Sequence, residues 1–394
     1  MQPRDLSALT PYEAGRGIEE VAREVGIDPD DLVKLSSNEN PHGPSPAAVE
    51  AMREHADGVH HYPKAAHADL QDALAERWDL APEQVWLANG GDGALDYLAR
   101  AMLDPDDPVL VPDPGFAYYA MSVRYHHGRV NTYPLHKEED FEQRPEHVLD
   151  AYDGERVVYL ISPHSPTGRE IPREAILEIA DGVDDETVVL VDEAYGAFSE
   201  APSKVDLVRE RDDVAVLRTF SKSHGLAGVR LGYLLAPESW ADAYARINTP
   251  FAVNELALRA GLAALEDDDH VEHSVESATW AREFIHDNLA TRTWPSQGNF
   301  VLAEVGDAEA VFEAAKERGV IVRDASSFGL PGCIRITCGT RAETTRAVEV
   351  LNEVLAMRDP HGATGGAPPD AAGGGFGMDG PRPPTDGPDD VGDE

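Results

Sequence analysis

Covalent capture of a phosphorylated aldehyde needs an amine for the Schiff base and donors for the phosphate, and one stretch supplies both. Residues 217–235 read LRTFSKSHGLAGVRLGYLL, and Lys222 within it is one of only six lysines in the 394-residue chain. Thr219 and Ser221 precede it, and Arg230 follows eight residues later, past Gly225 and Gly228. Hydroxyls beside an amine, with an arginine brought back by a glycine-permitted bend, suit that chemistry. An isolated Ser-Lys pair is more often a solvated surface feature, so the reading rests on two further stretches agreeing.

The first is TVVLVDEAYG, where an apolar strand over 188–191 delivers Asp192 at its carboxyl end. Such an acid either caps a following helix or supplies the anion that keeps a pyridine ring protonated and electron-withdrawing. Tyr195 is either a core tyrosine or a donor to the ring's phenolic oxygen. The second is ANGGDGAL (88–95), glycines between a strand and a helix. There Gly90, Gly91 and Asp92 either turn the chain or offer bare amides to a phosphate at the helix start. Taken together, the three stretches read as a pyridoxal 5'-phosphate site built on Lys222.

Those groups need the ends of rigid elements to hold them. Short apolar segments, VWLAN, PVLVP, VVYLIS, TVVLV, VAVLRT and GYLLA, alternate with helical ones such as HADLQDALAERW and REAILEIA. The pattern predicts an α/β fold whose mostly parallel sheet is buried on both faces, with ligands beyond the carboxyl ends of its strands. Ser45 is placed to cap the helix begun by PAAVEAMREHA. After Pro237 long helical stretches take over, and GNFVLAEV, GVIVRDA and CIRITCG around AEAVFEAAKERG predict a smaller α+β unit. The expected domains are an N-terminal arm over 1–44 belonging to the small domain, a large domain over 45–250, and a linking helix with the small C-terminal domain over 251–358. Residues 359–394 are Gly/Pro/Asp-rich and expected to be disordered.

Charge narrows the partners. Asp and Glu number 73 against 33 Lys and Arg, a net charge of −40, which repels nucleic acid and anionic membrane surfaces. Only −7 of this falls in 359–394 (eight acids, one arginine), leaving −33 on the rest; with lysine so scarce, the surface reads as adapted to high salt. The first residues lack a secretory h-region and no apolar run spans a membrane, so a cytoplasmic protein is expected. Cys333 and Cys338 are too few for a disulfide framework or a metal site, and no metal is expected.

The stretches PYEAG, KLSSNENPHGPSP, HYP, NGGDGALD, VPDPGFAYY, SPHSPTG, VVLVDEAYG, RTFSKSHGLAGVRLGY, INTPFAVN, PSQGNFVL and LPGCIRITCGT run in order from Pro11 to about Met357. Through them the chain resembles the fold-type I pyridoxal-phosphate aminotransferases, and among these the histidinol-phosphate aminotransferases. The resemblance implies exchange of the amino group of L-histidinol phosphate with 2-oxoglutarate in histidine synthesis, with ping-pong kinetics. It implies that Lys222 carries the cofactor and moves the substrate proton, that Asp192 pairs with the ring nitrogen, that Tyr195 bonds the phenolic oxygen and that Phe116 stacks on the ring. The phosphate falls to Gly91, Asp92, Thr219, Ser221 and Arg230, with Tyr62 reaching in from the second subunit of a homodimer that shares its active sites. Arg335 and Arg323, with Tyr12 and Asn40 nearby, are implied to hold the substrate; for Arg323 a structural ion pair is nearly as good an account.

Ser165 stands where these enzymes usually carry an asparagine that donates to the phenolic oxygen, and a serine is shorter but still a donor. His224 and Gly93 also depart from the usual residues. Rival readings are a threonine-phosphate decarboxylase, a paralogous aminotransferase for aromatic or other amino acids, and a cofactor-binding regulator, the last opposed by the presence of Lys222, Asp192, Tyr195 and Arg230 together.

Overall fold

Seven strands make the central sheet: β1 (Val85–Asn89), β2 (Pro108–Asp113), β3 (Arg129–Pro134), β4 (Val157–Ile161), β5 (Val188–Asp192), β6 (Val214–Thr219) and β7 (Leu231–Leu235). The structure is a computed structural model and describes Leu6, Leu9 and residues 17–63 and 68–358. Strand order is β1-β7-β6-β5-β4-β2-β3. All neighbours are parallel except β7, which is antiparallel to both β1 and β6. Every residue of β4 and β5 is buried, because helices cover both faces. Val158, Leu160, Val189 and Val191 enter one core, while Val157, Tyr159, Ile161, Val188 and Leu190 enter the other, as period-two alternation requires.

The strand β3 has no counterpart among the apolar runs of the sequence. It lies at the sheet edge, where of RVNTYP only Tyr133 is buried, and an edge strand with one wet face needs no continuous apolar run.

The second sheet is three-stranded and antiparallel, with Cys333–Thr337 between Arg323–Asp324 and Phe300–Glu304. The stretch GVIVRDA, expected as one strand, divides at Val322. Val320–Ile321 pairs in parallel with Val33–Lys34, and Arg323–Asp324 crosses to Cys333–Thr337. That switch sets Arg323 directly opposite Arg335. Ile334 and Ile336 point into the core beneath, so Arg335 faces the other way.

Described residues through Leu355 form one compact unit, and 356–358 finish the helix Arg341–Arg358. Among the described residues no helix is long and apolar enough to cross a membrane.

Candidate active site

At the carboxyl ends of β4, β5 and β6 a cavity of about 310 Å³ opens, lined by Gly91, Asp92, Phe116, Ser165, Asp192, Tyr195, Thr219, Ser221, Lys222, Arg230, Arg323 and Arg335. Stretches more than two hundred residues apart in sequence thus meet in one place. Its floor is Asp192, the last residue of the fully buried β5. One carboxylate oxygen accepts from Tyr119 Oη at 2.7 Å and the other from the Ala194 amide at 2.8 Å. Burial outweighs both bonds and pushes its pKa up to about 6, and no cation among the described residues is set against this carboxylate.

Lys222 follows β6. Its Nζ lies 3.5 Å from the Ser37 carbonyl and 5.4 Å from the centre of the Tyr195 ring. Tyr195 is held by Asn38, whose Nδ2 donates to Tyr195 Oη at 2.9 Å. Burial raises the phenol's pKa, yet the charges of Lys222 and Arg335 and the hydrogen bonds from Asn38 and Ser165 win and leave it below the ordinary value.

A third corner of the cavity is an anion cradle. The helix Gly90–Met102 starts without a side-chain cap on its first amides, which leaves donors and the helix dipole pointing outward. Ser221 and Thr219 stand across from it, their hydroxyl oxygens 3.0 Å apart. Arg230, in the left-handed region at φ 58°, lies over Gly90 so closely that a Cβ there would meet its guanidinium at 2.5 Å. The guanidinium bonds Asp92 Oδ2 at 3.0 Å, while burial raises the Asp92 pKa against the pull of Arg230 and Lys222.

Opposite the cradle, Arg335 is buried, donating to Ser165 Oγ at 3.1 Å and to the Ser36 carbonyl at 3.0 Å. Arg323 stands beside it across the strand pair, its guanidinium 5.3 Å from the centre of the Phe328 ring.

Two residues named from sequence, Asn40 and Tyr62, are not among the described residues that line this cavity. The Asn40 amide donates to the Ser223 carbonyl and to Ser274 Oγ, both at 2.9 Å, and so clamps the lysine loop to the helix Asp268–Asn288. Tyr62 is 83% exposed and stacks on Phe251 at 4.7 Å, away from the cavity of its own chain. Tyr12 lies outside the described residues. His224, two positions from Lys222, packs on Phe220 at 4.7 Å, and burial pushes its pKa down to about 3.

Two residues that touch the central groups were missed. Tyr119 lies three positions after Phe116, which caps its helix, and the two rings meet at 5.3 Å. Asn38 reaches Tyr195 across 157 residues, with nothing local to announce it.

The model of the family "Aminotransferase class I and II" matches residues 30–351. A histidinol-phosphate aminotransferase of Natronomonas pharaonis is 68% identical over 355 residues, which cover 90% of this chain and 100% of that protein. One from Haloarcula marismortui is also 68% identical, over 90% of this chain and 99% of its own length. The chain belongs to the histidinol-phosphate aminotransferases, within class I and II. Among solved structures, the histidinol-phosphate aminotransferase of Sinorhizobium meliloti in complex with pyridoxal-5'-phosphate superposes with a TM-score of 0.80 at 27% identity, covering 91% of this chain and 98% of that one.

Proposed function

We propose that the protein transfers the amino group of L-histidinol phosphate to 2-oxoglutarate, using pyridoxal 5'-phosphate held on Lys222, in histidine biosynthesis in the cytoplasm. The observation that carries this reading is the cavity itself, in which an amine, a buried carboxylate short of a cation and an uncapped helix start lie around one space. A pyridoxal phosphate fits each of them: an aldehyde for the amine, a ring N–H for the carboxylate, a phosphate for the amides. When bound, it acts as an electron sink for the substrate's α-carbon.

This chain's residues do the rest. Asp192 receives the ring N–H and, ionised, keeps that proton in place; Tyr119 orients the carboxylate. Gly91, Asp92, Thr219, Ser221 and Arg230 hold the phosphate, and Phe116 covers a ring face. Lys222, once free, carries the proton to and from the α-carbon, its amine steered by the Ser37 carbonyl and the Tyr195 ring. Arg335, buried and facing Arg323, binds the anionic end of each substrate in turn, and a shared site of that kind requires ping-pong kinetics.

The exposed Tyr62, stacked on Phe251, supports a homodimer in which it serves the partner's phosphate site. A substrate panel at high salt tests the reading, with L-histidinol phosphate giving parallel double-reciprocal lines against 2-oxoglutarate. Borohydride reduction and peptide mapping should find the cofactor on Lys222. Carbon dioxide release from threonine phosphate, with no amino transfer, would replace the reading with a decarboxylase.

A further inference from the structure

Two side chains act on the Tyr195 oxygen. Asn38 Nδ2 donates to it at 2.9 Å, and the nearby Ser165 helps to lower its pKa. Ser165 Oγ itself accepts from Arg335 Nη1 at 3.1 Å, so that contact leaves the serine proton available to donate onward.

Asn38 cannot turn its amide around. Its backbone N–H donates to Thr337 Oγ1 at 3.0 Å, and that hydroxyl donates back to Asn38 Oδ1 at 3.1 Å. With the hydroxyl oxygen already accepting, its proton goes to Oδ1, and Nδ2 is left facing Tyr195. The Asn38 carbonyl accepts from Asn299 Nδ2 at 3.0 Å, the residue is 1% exposed, and its φ is 54°, a left-handed conformation that asparagine tolerates better than most residues. The two preceding carbonyls reach the same site, Ser36 to Arg335 at 3.0 Å and Ser37 to Lys222 at 3.5 Å.

We propose that Asn38 is a positioning residue: donating to the Tyr195 oxygen, it occupies an acceptor site there and turns the phenol proton away from itself, into the cavity. A phenol has one proton, which cannot point along a bond its oxygen is accepting, so the Asn38 donor limits where it points. The proposal rests on the reading above that Tyr195 serves an oxygen of the cofactor. It also gives Ser165 a part, since the serine, bonded by Arg335 Nη1, acts on the Tyr195 phenol.

The test uses the cofactor-free protein. Tyrosine labelled with carbon-13 at Cζ is titrated by NMR, with Y195F assigning the resonance, in wild type, N38G and N38D. N38G keeps the left-handed backbone without the amide; N38D keeps the shape but replaces the donor with an acceptor. Tyr195 of the wild type is expected to titrate below the ordinary value of about 10, with its pKa rising by about one in N38G and further in N38D. With cofactor bound, the pH profile of kcat should move in N38G while KM for 2-oxoglutarate stays put. A wild-type Tyr195 at or above 10, or an N38G resonance titrating with the wild type, overturns the proposal; should N38D fail to fold, the other two decide. The NMR shift without turnover of L-histidinol phosphate would sink the substrate reading and leave the positioning role standing.

Discussion

Asp192 is a carboxylate carried into the protein interior. Its folded pKa of about 6 lies above the 3.8 of an unperturbed aspartate, because burial disfavours the anion. Between those values the folded chain holds a proton that the unfolded chain has released, so stability falls as pH rises through this window and the loss is complete above it. For the cofactor-free protein the loss is about 3 kcal/mol between roughly pH 4 and pH 6. D192N, which cannot ionise, should lack it. Urea unfolding of both proteins across that range checks this, and parallel curves would mean that the carboxylate is not desolvated as its surroundings imply. The groups legible from sequence, Lys222, Asp192 and Arg230, are those whose side-chain type is itself the chemistry and whose place is set by a strand end or a glycine bend nearby. Asn38 was illegible because its role depends on a left-handed backbone and on Thr337, 299 residues away.

At the scale of elements, the phosphate cradle depends on how closely β7 approaches the start of the helix Gly90–Met102. A Cβ on Gly232 would lie 2.6 Å from both the Gly90 carbonyl carbon and the Gly91 nitrogen. These are backbone atoms that cannot swing aside, so G232A must push the helix start off the sheet. The expected result is a loss of about 2 kcal/mol of stability together with weaker binding of pyridoxal phosphate, read by thermal melts with and without the cofactor. A variant that melts and binds like wild type would show that the contact is slack. Ser45 offers a milder case: its Oγ accepts from the Ala48 amide at 3.1 Å at the start of Pro46–His55. S45A should cost about 1 kcal/mol, with activity at saturating cofactor retained; a change under a few tenths in urea unfolding would remove the cap's role. The buried strands and this cap were readable because local pattern and tertiary need coincide there. The edge strand β3 and the division at Val322 were not, since pairing partners rather than local residues decide both.

Across the whole molecule, acids outnumber bases by 73 to 33, so even if every base were paired, a net charge of −40 would remain. Ion pairs such as Arg173 with Asp206 and Glu210, or Arg211 with Asp181 and Asp213, therefore neutralise only part of a surface that repels itself. At 0.1 M salt the screening length is about 10 Å, and by 1 M it is about 3 Å. The melting temperature should accordingly climb steeply as KCl rises to about 1 M and flatten beyond it. Salting-out of apolar surface acts differently, strengthening burial progressively as salt is added. The shape of the curve therefore separates the two mechanisms where its direction does not. A chain ending at Arg358 should keep the same shape, because 359–394 carry only −7 of the −40. A melting temperature that rises in a straight line through 3 M KCl, or that loses its early climb in the shortened chain, would move the salt dependence from the charge of the folded body to another cause.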